Sequence, residues 1–141
     1  MNERFREGLT DAHVRKDILT LGDFTAIYCK GNHRDRVRTE LVSDAVTLGA
    51  YGGKMPVLCE ECATHLRYAE ARRAYCNKDP KPFCAHCGTH CYKRDESEWQ
   101  RRMMTYSGPR SAFHGYAIEG IKHLLEARKW RLEAAKRKES A

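Results

Sequence analysis

Apolar side chains recur along this chain at helical intervals, and no good alternating strand pattern stands out. Val14, Ile18, Leu21, Ile27 and Tyr28 fit one face of a helix. Thr10 is its candidate N-cap, Gly22 a weak point and Gly31 its end. Val37, Leu41, Ala45 and Leu48 predict a second helix, followed by a loop through Gly49, Gly52, Gly53 and Pro56. A third begins near Cys59 and places Cys62, Leu66, Ala69, Arg73 and Cys76 on one stripe. Residues 77–82 read as a turn, and a Cys-rich loop continues to Tyr92.

A fourth helix starts at Asp95 or Ser97, turns Trp99, Met103 and Tyr106 inward, and is broken by Ser107-Gly108-Pro109. The last runs from about Ser111, with Gly115 a loose point, through Ile118, Ile121, Leu125 and Leu132. The expected fold is therefore all-α: a small metal-stapled helical bundle of four to six helices with a Cys-rich loop. Residues 10–135 form its single domain, between a flexible stretch 1–9 and a basic tail 136–141.

Composition narrows the setting. A chain of 141 residues suggests one domain, and no apolar run approaches the ~20 residues of a membrane span. The N-terminus is charged, with no apolar stretch behind it, unlike a secretory signal. A cytoplasmic, reducing location is the expectation, and a membrane partner is not.

Structural disulfides are rare in that setting, yet there are 7 cysteines, an odd number. Buried thiols acting as small hydrophobes are the plain alternative. That alternative suits Cys59, Cys62, Cys84, Cys87 and Cys91 poorly, because Glu60, Glu61, Lys93 and Arg94 adjoin them. The cysteines read as metal ligands.

Cys59/Cys62 and Cys84/Cys87 both have the C-x2-C spacing that brings two thiolates to one ion. Cys62 and Cys76 lie in a stretch without Pro or Gly. An unbroken helix would hold them about 21 Å apart, too far to share one metal. Two groups result. Cys76, Cys84, Cys87 and Cys91 can complete a four-thiolate site for zinc or for a [4Fe–4S] cluster, with His90 an alternate ligand. Cys29, Cys59 and Cys62 are one ligand short. His33, four residues after Cys29, is the preferred fourth ligand, for zinc or iron; His65, one turn past Cys62, is its rival. His13, His114 and His123 read as ordinary imidazoles, and Tyr92, Trp99, Met103 and Met104 as core. Arg110 beside Gly108 reads as part of a helix connection.

Several of these pieces occur together in one known family. They are Leu58-Cys59-Glu60-Glu61-Cys62-Ala63, then Tyr68-Ala69 and Arg72 leading to Cys76, and Lys81-Pro82 with Cys84 and Cys87. His90-Cys91-Tyr92, Tyr106-Ser107-Gly108-Pro109-Arg110 and Ile121-Lys122-His123-Leu124-Leu125 follow in order. In this set the chain resembles the nitrous oxide-stimulated promoter family of bacteria and archaea, and Tyr28-Cys29-Lys30-Gly31-Asn32-His33 is similar to its upstream Cys segment. The resemblance covers about two-thirds of the chain. Residues 34–57 are longer than the family's usual spacer, and Gly88-Thr89 replaces a pair that often contains Pro. The resemblance implies a link to nitrosative stress and no particular reaction.

Charge adds little to that. The formal +7 counts each thiol as neutral. Seven ligated thiolates remove seven charges and two 2+ centres restore four, leaving about +4. Arg101, Arg102, Lys129, Arg131 and Lys136-Arg137-Lys138 are interleaved with glutamates, as on an ordinary solvated face. Nucleic acid is thus a partner to consider but not the favoured one, and no protein partner is indicated. Three functions remain in order: a metal- or cluster-binding protein of nitrogen-oxide stress, a DNA-binding regulator with structural zinc, and a cluster-dependent redox enzyme.

Overall fold

The computed structural model describes residues 3–75, 93–114 and 117–140. Among them are six α-helices and one two-stranded ladder: α1 (Glu3–Gly8), α2 (Ala12–Asn32), β1 (Thr39–Glu40), α3 (Asp44–Thr47), β2 (Val57–Leu58), α4 (Glu60–Ala74), α5 (Arg94–Arg110) and α6 (Ala117–Ser140). The fold is all-α.

Helix α2 is the central element and packs against both α4 and α5. Val14, Ile18 and Leu21 of α2 meet Cys62, Leu66 and Ala69 of α4 and Trp99 and Met103 of α5 in one buried core. Each fully buried Val, Ile, Leu or Met there contributes roughly 1.5–3 kcal/mol. The N-cap of α2 is Asp11 rather than Thr10: its carboxylate accepts the His13 N–H at 2.8 Å, while the Thr10 hydroxyl donates to the Glu7 carbonyl and closes α1. Gly22 serves packing. A Cβ there would lie 2.5 Å from the Tyr51 ring and 3.1 Å from Pro56, so its absence lets the 49–56 loop close onto the helix.

The second predicted helix is not formed as such. Val37 is 85% exposed, and Thr39–Glu40 pairs antiparallel with Val57–Leu58, Thr39 opposite Leu58. Leu41 N–H extends the ladder to the Pro56 carbonyl. Only Asp44–Thr47 is helical, capped by the Ser43 hydroxyl. It ends in a Schellman turn: Ala50 N–H bonds Ala45 C=O, Gly49 N–H bonds Val46 C=O, and Gly49 takes φ of 80°. The helical spacing of Val37, Leu41 and Ala45 was overridden by a strand partner seventeen or more positions downstream. That pairing seats Leu58 immediately before Cys59.

At the N-terminus, Glu3–Gly8 is helical and buries Phe5 and Leu9 against the core. The expected break at Ser107-Gly108-Pro109 does not occur. Helix α5 runs to Arg110, and the chain then tightens into a 3-10 turn, Ser111–His114. Pro109 falls in the last turn, where its missing N–H costs one terminal bond, and the buried Ser107 hydroxyl donates to the Phe24 carbonyl at 2.6 Å. Helix α6 continues through the basic residues to Ser140, with Ile121, Leu124, Leu125 and Leu132 exposed. No helix among the described residues is long and apolar enough to cross a membrane.

Candidate metal centre

Two helix ends create the centre. Cys29 lies in the last turn of α2, and His33 is its C-cap, held by its own N–H to the Cys29 carbonyl at 2.8 Å. Cys59 is the N-cap of α4, and Cys62 occupies its first turn. The C-x2-C pair therefore sits at the positive end of a helix, which favours thiolate. The short ladder brings the two ends together, and Cys59 N–H donates to Cys29 Sγ at 3.3 Å.

The ligand atoms converge. His33 Nδ1 lies 3.3 Å from Cys62 Sγ and 3.5 Å from Cys59 Sγ. One donor atom from each of Cys29, His33, Cys59 and Cys62 lies within 4.8 Å of the others. A tetrahedral zinc with bonds of about 2.3 Å to sulfur and about 2.0 Å to nitrogen has sulfur–nitrogen edges of about 3.5 Å. The observed separations match those edges. The three thiols are buried.

Electrostatics also favours a cation. Burial, then the charges of neighbouring thiols, pushes the Cys62 thiol far up, and burial likewise raises Cys29. At Cys59 burial opposes ionisation, but hydrogen bonding from the Cys62 backbone and side chain and from Arg36 outweighs it and lowers the pKa. Three adjacent buried thiolates repel one another. A divalent ion at their centre removes that repulsion and holds all three deprotonated. The residues fit a mononuclear site with three sulfurs and one nitrogen.

A second layer surrounds them. The other imidazole nitrogen, His33 Nε2, faces Glu61 Oε2, which also pairs with Arg36 Nη1 at 3.3 Å. Arg36 Nη1 reaches Cys59 Sγ at 3.9 Å. The Tyr28 ring meets the His33 ring edge-on, centroids 5.6 Å apart. Sequence reasoning named neither Glu61 nor Arg36 for a role; their signal was their position inside the C-x2-C segment and three residues past His33.

His65 stands apart from the four. Its Nδ1 lies 2.8 Å from Glu96 Oε2 and its ring stacks on Trp99 at 4.0 Å, tying α4 to α5. Trp99 and Met103 are core, whereas Met104 is exposed. Arg110 ends α5 instead of starting a helix, with its guanidinium over the Tyr106 ring. Helix α4 is unbroken from Glu60 to Ala74. Cys76, Cys84, Cys87, Cys91 and His90 lie outside the described residues.

No curated protein and no solved structure matches the chain. The family model described as nitrous oxide-stimulated promoter matches residues 12–136, and the chain belongs to that family.

Proposed function

We propose that this chain is a two-centre metalloprotein of the cytoplasm that acts in the response to nitrogen oxides. The observation carrying the proposal is the convergence of Cys29, His33, Cys59 and Cys62 between two helix ends. Zinc is the ion we assign there. Four protein ligands close its coordination sphere, and a closed tetrahedral site is a structural one. Burial of all three thiols supports the same role, because buried structural cysteines are chemically inert.

The nitrogen-oxide chemistry then belongs to Cys76, Cys84, Cys87 and Cys91, which supply four thiolates for a [4Fe–4S] cluster or a second zinc. Thiolate-bound metal is vulnerable to nitric oxide and to cysteine oxidation. The family description supplies the link to nitrogen oxides. No open coordination position is assigned to either centre, so the reading is a responsive binding protein rather than an enzyme.

Anaerobic purification with metal analysis tests the assignment. One zinc should survive brief exposure to a nitric oxide donor, while the second centre loses metal or its visible absorption. A brown protein identifies that centre as iron–sulfur, and a colourless one with two zinc ions identifies it as zinc. Metal content and spectrum both unmoved by the donor would sink the responsive role.

A further inference from the structure

On the far side of the α2 C-terminus from the thiols is an open groove of about 550 Å³. Its size falls within the range of small-ligand sites, roughly 300–1,000 Å³. Among the described residues, Lys30, Arg34, Arg38 and Arg110 line it and no acidic residue does. Surface cations are commonly interleaved with carboxylates, and the neighbouring Arg36 follows that pattern by pairing with Glu61. The turn closed by Arg36 N–H to the His33 carbonyl separates the two kinds. It leaves Arg36 on the metal-centre side and Arg34 and Arg38 on the groove side.

Two aromatic rings, Tyr106 and Phe113, also line it. Tyr106 packs directly on Gly31, and Arg110 is fixed above it, its guanidinium 3.8 Å from the ring centroid and its Nη1 donating to the Tyr106 carbonyl at 2.8 Å. Phe113 is 90% exposed. Leaving a phenyl ring in water forgoes roughly 1.5–3 kcal/mol of burial. A bare ring beside guanidinium groups that pair with no carboxylate among the described residues is the combination that stacks a base and holds its phosphate.

We propose that this groove binds a nucleotide unit, with Lys30, Arg34, Arg38 and Arg110 on the phosphate and Phe113 against the base. The unit is either a free nucleotide or part of a single strand. The shared chemistry is the same, and the two sources are separable by experiment. The proposal does not depend on the metal or on the nitrogen-oxide role.

The test is calorimetric titration of the full-length, metal-loaded protein with ADP, with pyrophosphate and with a short oligothymidylate. Arg34→Ala and Arg38→Ala should weaken all three, and binding should fall with added salt. Phe113→Ala should weaken ADP or the oligonucleotide by about tenfold and leave pyrophosphate unchanged. Arg34 and Phe113 are exposed and Arg38 is half-buried, and unchanged melting and metal content verify that each variant is folded. ADP bound at least as tightly as the oligonucleotide identifies a free nucleotide, and the reverse identifies a strand. No binding, pyrophosphate binding alone, or nucleotide binding indifferent to Phe113 overturns the proposal.

Discussion

Glu61 Oε2 lies 3.4 Å from Nε2 of His33, on the side of the imidazole opposite the thiols. Because Nδ1 is the atom among the sulfurs, the Nε2 proton is directed to a carboxylate, which fixes the tautomer and makes Nδ1 a better donor. Glu61→Ala should therefore weaken metal binding about 10- to 100-fold. Competition with a chromophoric chelator measures it. Glu61→Gln keeps an acceptor and should lose less. Equal losses for the two would mean that the carboxylate charge, not orientation of the ring, is what matters.

The two proposed centres should be separable by substitution. Cys62→Ala should remove one metal per chain and lower the melting temperature, since it takes a ligand from a buried site that joins α2 to α4. Cys87→Ala should remove the other metal while the zinc bound near His33 remains. Metal analysis beside thermal melts distinguishes the pattern. Loss of all metal in both variants would indicate that the centres depend on each other.

Gly31 offers a sign reversal. Gly31→Ala would ordinarily stabilise α2 by about 1 kcal/mol. Here a Cβ would collide with the hydroxyl and ring of Tyr106, which is itself held against Tyr28 with centroids 5.8 Å apart. Overpacking of this kind costs about 1–3 kcal/mol. The single variant should be less stable than wild type, and in a Tyr106→Ala background the same change should become stabilising. Urea unfolding of the four proteins checks this.

Glu70 should make stability depend on pH. It is buried, accepts hydrogen bonds from Tyr51 and Ser43, and burial raises its pKa above the ordinary 4.5. A carboxyl with a raised folded-state pKa contributes stability below its unfolded pKa and loses it as pH rises through the folded value. Glu70→Gln removes that titration. Relative to wild type it should be more stable at pH 7.5 than at pH 4.5, the ordinary value. Taking the difference between the two proteins cancels effects of pH on the metal. A difference independent of pH would show that Glu70 has the same affinity for protons folded and unfolded.

What could be read from the chain alone was local. Cys29 and His33 share a face because four residues make about one helical turn. Cys59 and Cys62 fit a helix start, and the apolar stripes of α2 and α4 are carried in their own spacing. What could not be read depended on distant partners. Val37 to Leu48 carries a helical pattern, but Val57 and Leu58 recruit part of it into a ladder. His65 is as close to Cys62 in sequence as a ligand needs to be, but Glu96, 31 residues on, and Trp99 hold it elsewhere. Pro109 looked like a break because the chain alone does not reveal that Ser107 is anchored to Phe24 across 83 positions.

The centre joins two points that are close in space but separated by residues 34–58 in the chain. A metal bound there would act as a clasp on a long loop, comparable to a cross-link that removes roughly 3–4 kcal/mol of chain entropy from the unfolded state. Closure entropy grows only logarithmically, with each doubling of loop length costing about 0.6 kcal/mol. The span 34–57 can therefore lengthen with little loss to the clasp, which accommodates the long spacer of this chain. The same geometry implies that a single proteolytic cut at the exposed Gly52-Gly53 pair would leave two fragments joined both by the shared core of α2, α4 and α5 and by the bound metal, so that withdrawing the metal should weaken their association.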